Sequence, residues 1–295
     1  MKELKKSGLL LLMLLVLMLS ACTGCSSQTD NKVTQDQISN GEQGAYTELF
    51  EYDGLEMSVG QNYMDEESGN YMIDVHGANN SDKNYSFRVE AVVNGYPVHS
   101  YQSLILASGN QAGYGYAIPT TVLREYGIND IGQVDYKIIV NEFDMENFKT
   151  GEQAFVSDTY TIKTEKYDSF DTVEISDEPV YEDKNIAYHV ITEEGPAYAH
   201  MNVFAANLSD NDAEVVISEM YLNGEAMNIE STAEVYTLSL EGNNCKFAFL
   251  PIQNYEWDEE KAETIVHPVE TLEIRLTITC GEESYTTDRF SCGIS

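Results

Sequence analysis

The sequence is poor in positive charge. Its 295 residues include 16 lysines and arginines against 50 aspartates and glutamates, which gives a net charge of −34 at pH 7. Such a charge repels nucleic acid phosphates and anionic lipid headgroups. A nucleic-acid-binding role is therefore excluded. The excess of carboxylates indicates either a solvated acidic surface or an attraction for cations and basic partners.

Cysteine and tryptophan are also scarce. Trp257 is the only tryptophan, and no cysteine pair brackets it, so the Cys-Trp-Cys core of antibody domains is absent. An odd number of cysteines lies in the second half of the chain, so we expect no disulfide framework. The cysteines are Cys22, Cys25, Cys245, Cys280 and Cys292.

The N-terminus lacks an apolar run long enough to span a bilayer. Lysines precede an apolar stretch at Gly8–Leu19, and this stretch leads into the small residues of LSAC, Leu19–Cys22. A membrane-spanning helix needs about 20 apolar residues. The order of charged, apolar and small-residue regions is typical of a cleaved export signal. The sequence therefore predicts a signal peptide at residues 1–21.

The LSAC stretch resembles a bacterial lipobox, and a plain secretory signal is the alternative. The resemblance implies cleavage before Cys22, a diacylglyceryl thioether on its sulfur and fatty acylation of the new amino terminus. Residues 22–45 then form a lipidated cysteine and a linker too polar to order itself. We expect an extracytoplasmic protein anchored to the cell membrane by lipid.

The rest of the chain contains an internal repeat. ANNSDKNYSFRVEAVVNG at Ala78–Gly95 is matched by AANLSDNDAEVVISEMYLNG at Ala205–Gly224. Three further blocks match in the same order, so we predict two copies of one domain, at residues 46–165 and 166–295. The blocks are Gly109–Pro119 with Gly242–Pro251, Val134–Val140 with Leu272–Ile278, and Ser157–Ile162 with Thr287–Cys292.

Both copies alternate apolar and polar residues with the period of a β-strand. About seven strand-like runs per copy, separated by Asn, Asp, Gly and Ser, predict an all-β fold of two tandem antiparallel sandwiches. Short helical turns are expected at Thr120–Tyr126 and Trp257–Glu263. In the first copy the strand-like runs lie near residues 53–59, 70–78, 85–93, 98–107, 112–118, 133–141 and 154–163.

Two short phrases of the repeat predict turns. Asn79–Asp82 and Asn207–Asp210 hold residues whose side chains bond back to their own chain, and Asn94-Gly95 and Asn223-Gly224 favour tight hairpins. Together with the lipobox and polar spacer, this pattern resembles exported immunoglobulin-like lipoproteins of Gram-positive bacteria, many of unknown function. The resemblance implies tandem immunoglobulin-like β-sandwich domains and assigns no activity.

The sequence contains no motif of catalysis. HExxH, GxSxG, CxxC and glycine-rich phosphate loops are all absent. In the repeat alignment His76 falls opposite Phe204 and His200 opposite Met72, so we interpret the histidines as packing residues. The prediction is a protein that is not an enzyme. A hydrolase with a site assembled from distant residues is the least favoured alternative.

Acidic loops are the best indication of a metal site. Calcium prefers carboxylates and carbonyls of loops as ligands, and equivalent inter-strand loops of the two copies both carry such groups. The spaced ligand pattern of a known calcium loop is absent, so these residues are weak candidates. They are Asp65, Glu66 and Glu67 in the first copy, and Glu193 and Glu194 in the second.

Two functions follow as hypotheses. The first is a non-catalytic binding, adhesion or scaffolding module at the cell surface, with an envelope protein, a wall polymer or a cation as partner. The second is a small-ligand or calcium-binding accessory component of an envelope system. A flat tyrosine-bearing face would favour the first hypothesis, and a convergent pocket would favour the second.

Overall fold

A computed structural model describes most of the chain after the linker. Cys22, the signal peptide, the linker up to residue 45 and Glu67 lie outside the described residues. The described ranges are 46–66, 68–99, 102–173, 178–194, 199–229, 235–252, 254–258 and 263–294.

The first repeat is built from a series of strands and one short helix. In chain order they are β1 (Thr47–Tyr52), β2 (Leu55–Met64), β3 (Tyr71–Asn79), β4 (Tyr85–Val93), β5 (Tyr96–His99), β6 (Ser103–Leu106), β7 (Gln111–Ile118), α1 (Thr120–Glu125), β8 (Gln133–Asp144), β9 (Lys149–Val156) and β10 (Tyr160–Lys163).

The second repeat is built from strands joined by turns and loops. In chain order they are β11 (Tyr181–Glu182), β12 (Ile186–Glu194), β13 (Ala199–Asn207), β14 (Ala213–Leu222), β15 (Glu225–Ala226), β16 (Thr237–Leu240), β17 (Cys245–Pro251), β18 (Tyr255–Asp258), β19 (Glu263–Val266), β20 (Leu272–Cys280), β21 (Glu283–Thr286) and β22 (Phe290–Cys292).

Each repeat folds as a two-sheet sandwich. In the first repeat one sheet has the order β1-β2-β3-β7, and the other contains the order β10-β8-β4-β5. In the second repeat the corresponding orders are β11-β12-β13-β17 and β15-β14-β20-β21. These orders correspond to the A-B-E and G-F-C-C′ strands of the immunoglobulin fold. The prediction of an all-β sandwich fold is confirmed.

Alternating burial along the strands explains why the sheets pair face to face. In β3 every second side chain from Tyr71 to Asn79 is buried, and β20 repeats this pattern from Leu272 to Cys280. Successive residues of a strand point to opposite faces of the sheet. One face of each sheet is therefore dry and forms the hydrophobic core of its own sandwich.

The N-x-S-D phrases do more than turn the chain. The buried Asn79 side chain donates to the carbonyls of Lys83 (2.8 Å) and Leu106 (3.0 Å) and accepts from the amide and hydroxyl of Ser81. Asn207 makes an equivalent set of bonds, accepting from Ser209 and donating to Asn211, Leu240 and Glu241. Each asparagine thus ties neighbouring segments of its sandwich together.

The Asn-Gly hairpins are also used twice. Asn94 and Gly95 have φ values of 52° and 91°, and Asn223 and Gly224 have values of 50° and 83°. These left-handed conformations are those of a tight hairpin turn. The Asn94 side chain accepts from the next segment at Gly132 N and Gln133 N, and Asn223 does the same at Glu270 N and Thr271 N.

The structure confirms one of the two expected helical turns. Thr120–Glu125 forms α1. At Trp257–Glu263 the described residues contradict the expectation, because Tyr255–Asp258 and Glu263–Val266 pair as the antiparallel strands β18 and β19. Residues 259–262 lie outside the described part of the chain. The described part of the second repeat thus has two paired strands where the first repeat has a helix.

The two sandwiches share a sheet. Strand β5 of the first repeat pairs in parallel with β17 of the second, with Val98 opposite Phe247 and His99 opposite Ala248. The strand path β10-β8-β4-β5-β17-β13-β12-β11 is therefore continuous. Backbone pairing at this joint fixes the orientation of one repeat against the other.

Candidate functional site

The predicted calcium residues of the first repeat are engaged within their own loop. Asp65 accepts hydrogen bonds from Ser68 N (2.9 Å) and Ser68 Oγ (2.5 Å) in the loop after β2. Glu66 lies in the same loop. Within the described residues, no group of three or more His, Cys, Asp or Glu side chains is arranged to hold a metal ion.

The candidates of the second repeat lie beside the helix of the first. Glu193 Oε2 bonds to His200 Nε2 at 2.8 Å and accepts from Asn202 Nδ2 at 3.0 Å. Burial raises the pKa of Glu125 at the end of α1, and the charge of Glu193 raises it further. The backbone of Glu194 belongs to β12. Its side chain and the whole of Glu67 lie outside the part of the chain that the structure describes.

The lipidation candidate Cys22 also lies outside the described residues. None of the helices that the structure describes is long and apolar enough to cross a membrane. The cysteines Cys245, Cys280 and Cys292 of the second repeat are free thiols.

The repeat alignment around Phe247 needs a correction of one residue. When the blocks Gly109–Pro119 and Gly242–Pro251 are aligned from their first glycines, the sequence places Phe247 opposite Tyr114 and Cys245 opposite Ala112. In the structure Phe204 pairs with Phe247, and the equivalent pair of the first repeat is His76 with Gly113. A shift of one residue moves a side chain to the other face of a sheet. Phe247 therefore lies on the outer face of its sheet and outside the core of its own sandwich.

This outer face of the second repeat is buried against the first repeat. The rings of Tyr126, Phe204 and Phe247 contact one another with centroids 5.0, 5.5 and 5.6 Å apart, and Tyr96 contacts Phe247 at 5.9 Å. Tyr126 OH also donates to the carbonyl of Asn202 at 3.2 Å. We call Tyr96, Tyr126, Phe204 and Phe247 the aromatic joint.

An open cleft between the repeats is lined by the opposite face of the shared sheet. Its floor is the outer face of β4, β8 and β5, and its wall is β16 with the turn that leads into β17. The cleft encloses about 1090 Å³, and we call it the inter-repeat cleft. Its charged residues and its histidine are Arg88, Glu90, His99, Asp135 and Lys137 from the first repeat, and Asp212, Glu241 and Lys246 from the second.

Two cations bridge one carboxylate on the floor of the cleft. Glu90 is bound by Arg88 at 3.2 Å and by Lys137 at 3.1 Å. Burial raises the pKa of Glu90, but Lys137 and Arg88 outweigh this effect and hold that pKa below its ordinary value. Glu90 is therefore ionised at neutral pH, and its charge is already compensated.

Lys246 is a third cation beside this pair. It has no ion pair among the described residues. Burial lowers the pKa of its ammonium group; Glu90 and Glu241 oppose that effect, while Lys137 and Arg88 add to it. Removing an ammonium group from water without a counter-charge costs free energy. Lys246 would therefore gain from an anion bound in the cleft.

His99 borders the same group of charges from β5. Burial lowers the pKa of its ring to about 4, and the charges of Lys246 and Arg88 add to that effect. The ring is therefore neutral at pH 7. Its buried Nε2 atom has no hydrogen-bond partner in the part of the chain that the structure describes.

The carboxylates at the edges of the cleft are bonded within the protein. Asp135 accepts from Gln133 Nε2 (2.6 Å) and Thr161 Oγ1 (2.5 Å), and Asp212 accepts from Gly242 N (3.2 Å). These bonds hold the two side chains in place at the edges.

Sequence reasoning missed this site. Arg88, His99 and Lys246 lie far apart in the chain and have no local spacing that marks them. The sequence offered one signal, the scarcity of lysine and arginine. In a chain with so few cations, several that meet in one cleft mark a candidate site. Only the pairing of β5 with β17 brings these three residues to one place.

Comparisons with known proteins leave the activity open. No protein-family model and no curated protein matches the sequence. Among solved structures the chain is similar to red sea bream transglutaminase, with a TM-score of 0.22 and 8% identity over 83% of this chain and 32% of that protein. The chain thus spans about a third of the transglutaminase, and a likeness at this level carries no inference. Its own architecture defines it as an all-β protein of two sandwiches with a shared sheet.

Proposed function

We propose that the chain is a non-catalytic binding protein, anchored outside the cytoplasm by lipid on Cys22, and that the inter-repeat cleft binds its envelope partner or ligand. The lipobox-like LSAC stretch supports the anchor. The cleft supports the binding role because rigid sheet pairing holds its two sides together and charged groups converge in it. A concave site with a few placed polar groups is typical of ligand recognition.

The chemistry of the cleft supports a non-catalytic role. Cys245 and His99 both line it, and a thiol with a histidine is a familiar nucleophile and base. Burial raises the pKa of the Cys245 thiol and lowers that of His99 to about 4. A protonated thiol is a weak nucleophile, and an imidazole of this pKa is a weak base at neutral pH.

Blocking the cleft tests its role in binding. Ser239 is exposed on β16 and lines the cleft, so Ser239→Trp should obstruct it while leaving the core intact. Ser284→Trp, on an exposed site of β21 away from the cleft, is the matched control. The full-length tagged protein should capture one dominant envelope component after crosslinking in cells, and only Ser239→Trp should lose it. Equal capture by both variants would place the binding site elsewhere.

The anchor is tested separately. Full-length protein should partition into the detergent phase and the membrane fraction, and Cys22→Ala should move it to the aqueous phase because the acyl chains are lost. Cys25→Ala is the control and should behave as the wild type. Membrane retention of Cys22→Ala would contradict the lipid anchor without bearing on the cleft.

A further inference from the structure

Some cations of the inter-repeat cleft have a counterpart at the equivalent position of the other repeat, and others do not. The cross-strand pair Glu90–Lys137 has a counterpart in the second repeat, where Glu219 and Arg275 pair at 2.9 Å between β14 and β20. This pair is therefore part of the duplicated fold. Its presence in the cleft alone would indicate no ligand.

Arg88 and Lys246 have no such counterpart. The strand pairings put Val216 at the position of Arg88 and Ala112 at the position of Lys246. The two additional cations come from different repeats and meet only in the inter-repeat cleft. An apolar residue satisfies the fold at either position, so the fold itself does not require these charges.

Within the described residues, Lys246 is the cation of the cleft that has no ion pair. The cleft is lined by three cations, Arg88, Lys137 and Lys246, and by four carboxylates, Glu90, Asp135, Asp212 and Glu241. Arg88 and Lys137 pair with Glu90, while Asp135 and Asp212 accept hydrogen bonds from other protein groups and Glu241 is exposed on the wall. The ammonium group of Lys246 and the neutral ring of His99 beside it are therefore the groups that a ligand can engage.

From this we infer that the inter-repeat cleft binds a small anion, whose carboxylate or phosphate group is held by Lys246 and Arg88. The inference rests on the proposed binding function of the cleft and names its ligand class. A long polyanion would have to lie along the acidic surface outside the cleft and would be repelled there. A small anion with one or two charges makes its contacts inside the cleft alone.

The carboxylate of Glu90 competes with the ligand for the same cations. It already binds Arg88 and Lys137, so an incoming anion must share these partners with it. Replacing Glu90 by a neutral residue of the same size should therefore increase anion affinity. A purely structural role for the cluster predicts no such increase.

The first experiment is titration calorimetry on the full-length protein in detergent. Sodium phosphate and sodium succinate are the anionic probes, and butane-1,4-diol is the neutral comparator. We expect saturable binding of at least one anion, and the preferred probe distinguishes a phosphate from a carboxylate ligand. Binding of the diol with the same affinity, or of neither anion, would overturn the inference.

Variants assign the binding to the cluster. Lys246→Gln should weaken anion binding by about tenfold or more, since a hydrogen bond to a charged group is worth at least that factor. Lys246→Arg should restore it. Lys184→Gln removes a cation that pairs with Glu283 outside the cleft and should leave binding unchanged. Equal losses of anion affinity in Lys246→Gln and Lys184→Gln would show that the effect comes from the net charge of the protein, and would overturn the assignment of the site.

Glu90→Gln and Glu219→Gln form the decisive pair, because they occupy equivalent positions of the two repeats. Glu90→Gln should tighten anion binding about threefold to tenfold, and Glu219→Gln should not change it. If Ser239→Trp abolishes partner capture while the anion titrations show no binding, the cleft function stands and the anionic ligand class is wrong.

Discussion

The first repeat carries His76 and Gly113 on the outer face of its first sheet, where the second repeat carries Phe204 and Phe247. Both pairs lie on the same strands of the same fold. His76 is partly exposed and contacts Tyr46, whereas Phe247 is fully buried in the aromatic joint. Buried aromatic side chains contribute much of the free energy that joins two surfaces. The residues at these equivalent positions therefore differ because the outer face of the second repeat is covered by the first repeat, while the outer face of the first repeat is partly exposed.

The same comparison separates fold from function on the other sheet. The hydrogen bonds of Asn79 and Asn207 and the turns at Asn94 and Asn223 are repeated almost bond for bond. The cleft cations Arg88 and Lys246 are not repeated. Positions that both repeats share maintain the sandwich, and positions that differ build the contact and the cleft between them.

The largest effect should come from the aromatic joint. Phe204→Ala removes a buried ring and should lower the free energy of unfolding by about 3–5 kcal/mol. His76→Ala changes the equivalent position on the partly exposed face of the first repeat and should cost less than about 1 kcal/mol. Chemical denaturation of both variants measures the difference. Equal losses would show that the second repeat does not depend on the first for its outer face.

The buried asparagines should be next in size. Asn79→Ala and Asn207→Ala each leave buried carbonyls without donors, so each should cost about 2–3 kcal/mol. Because the two side chains make equivalent bonds, the costs should agree within about 1 kcal/mol. Asn80→Ala is the control; among the described residues its exposed carboxamide donates to Glu56 alone, and its loss should cost less than about 0.5 kcal/mol. A large asymmetry between the repeats would contradict their structural equivalence.

Local patterns made most of the sandwich predictable. Period-two alternation located strands such as β4 and β20, and the Asn-Gly dipeptides located the hairpins, because both are set by neighbouring residues. The division of one strand-like run was harder to predict. The run at 154–163 forms two strands, β9 and β10, because Ile138 N donates a hydrogen bond to Ser157 Oγ in place of a backbone partner.

The joint and the cleft depend on partners far apart in the chain. Tyr114 and Phe247 align in the sequence because both are aromatic. In the structure Asn110 and Asn244 are the equivalent residues of the turns before β7 and β17, and this equivalence shifts the alignment by one residue. That shift put Phe247 on the wrong face in the prediction. The parallel pairing of β5 with β17, which creates the cleft, leaves no periodic signal in either strand.

The pH dependence of stability tests the burial of His99. Its folded pKa of about 4 lies below the ordinary value for histidine. Between pH 6.5 and 4 the unfolded chain takes up a proton at this residue and the folded protein does not, so stability falls as the pH falls. His99→Gln should reduce this loss by on the order of 1–2 kcal/mol, measured by denaturation at both pH values.

The control for this measurement is the wild-type protein at the same two pH values. An unchanged slope in His99→Gln would show that the His99 ring is solvated in solution. The polar, water-accessible surroundings implied by that result would also weaken the electrostatic attraction of the cleft for anions.

The smallest effects should come from the hairpin glycines, where the two repeats are expected to behave alike. Gly95 and Gly224 have φ values of 91° and 83°, and an added Cβ would meet no atom within 4 Å at either site. Gly95→Ala and Gly224→Ala should therefore each cost about 1 kcal/mol through backbone strain alone. Gly113→Ala is the control, since its Cβ would only touch His76 at 3.8 Å and its backbone is not left-handed. That variant should be neutral or stabilise by about 0.5 kcal/mol because alanine restricts the unfolded chain. A cost at Gly113 equal to that at Gly95 would mean that the outer face of the first repeat is more tightly covered than its exposure indicates.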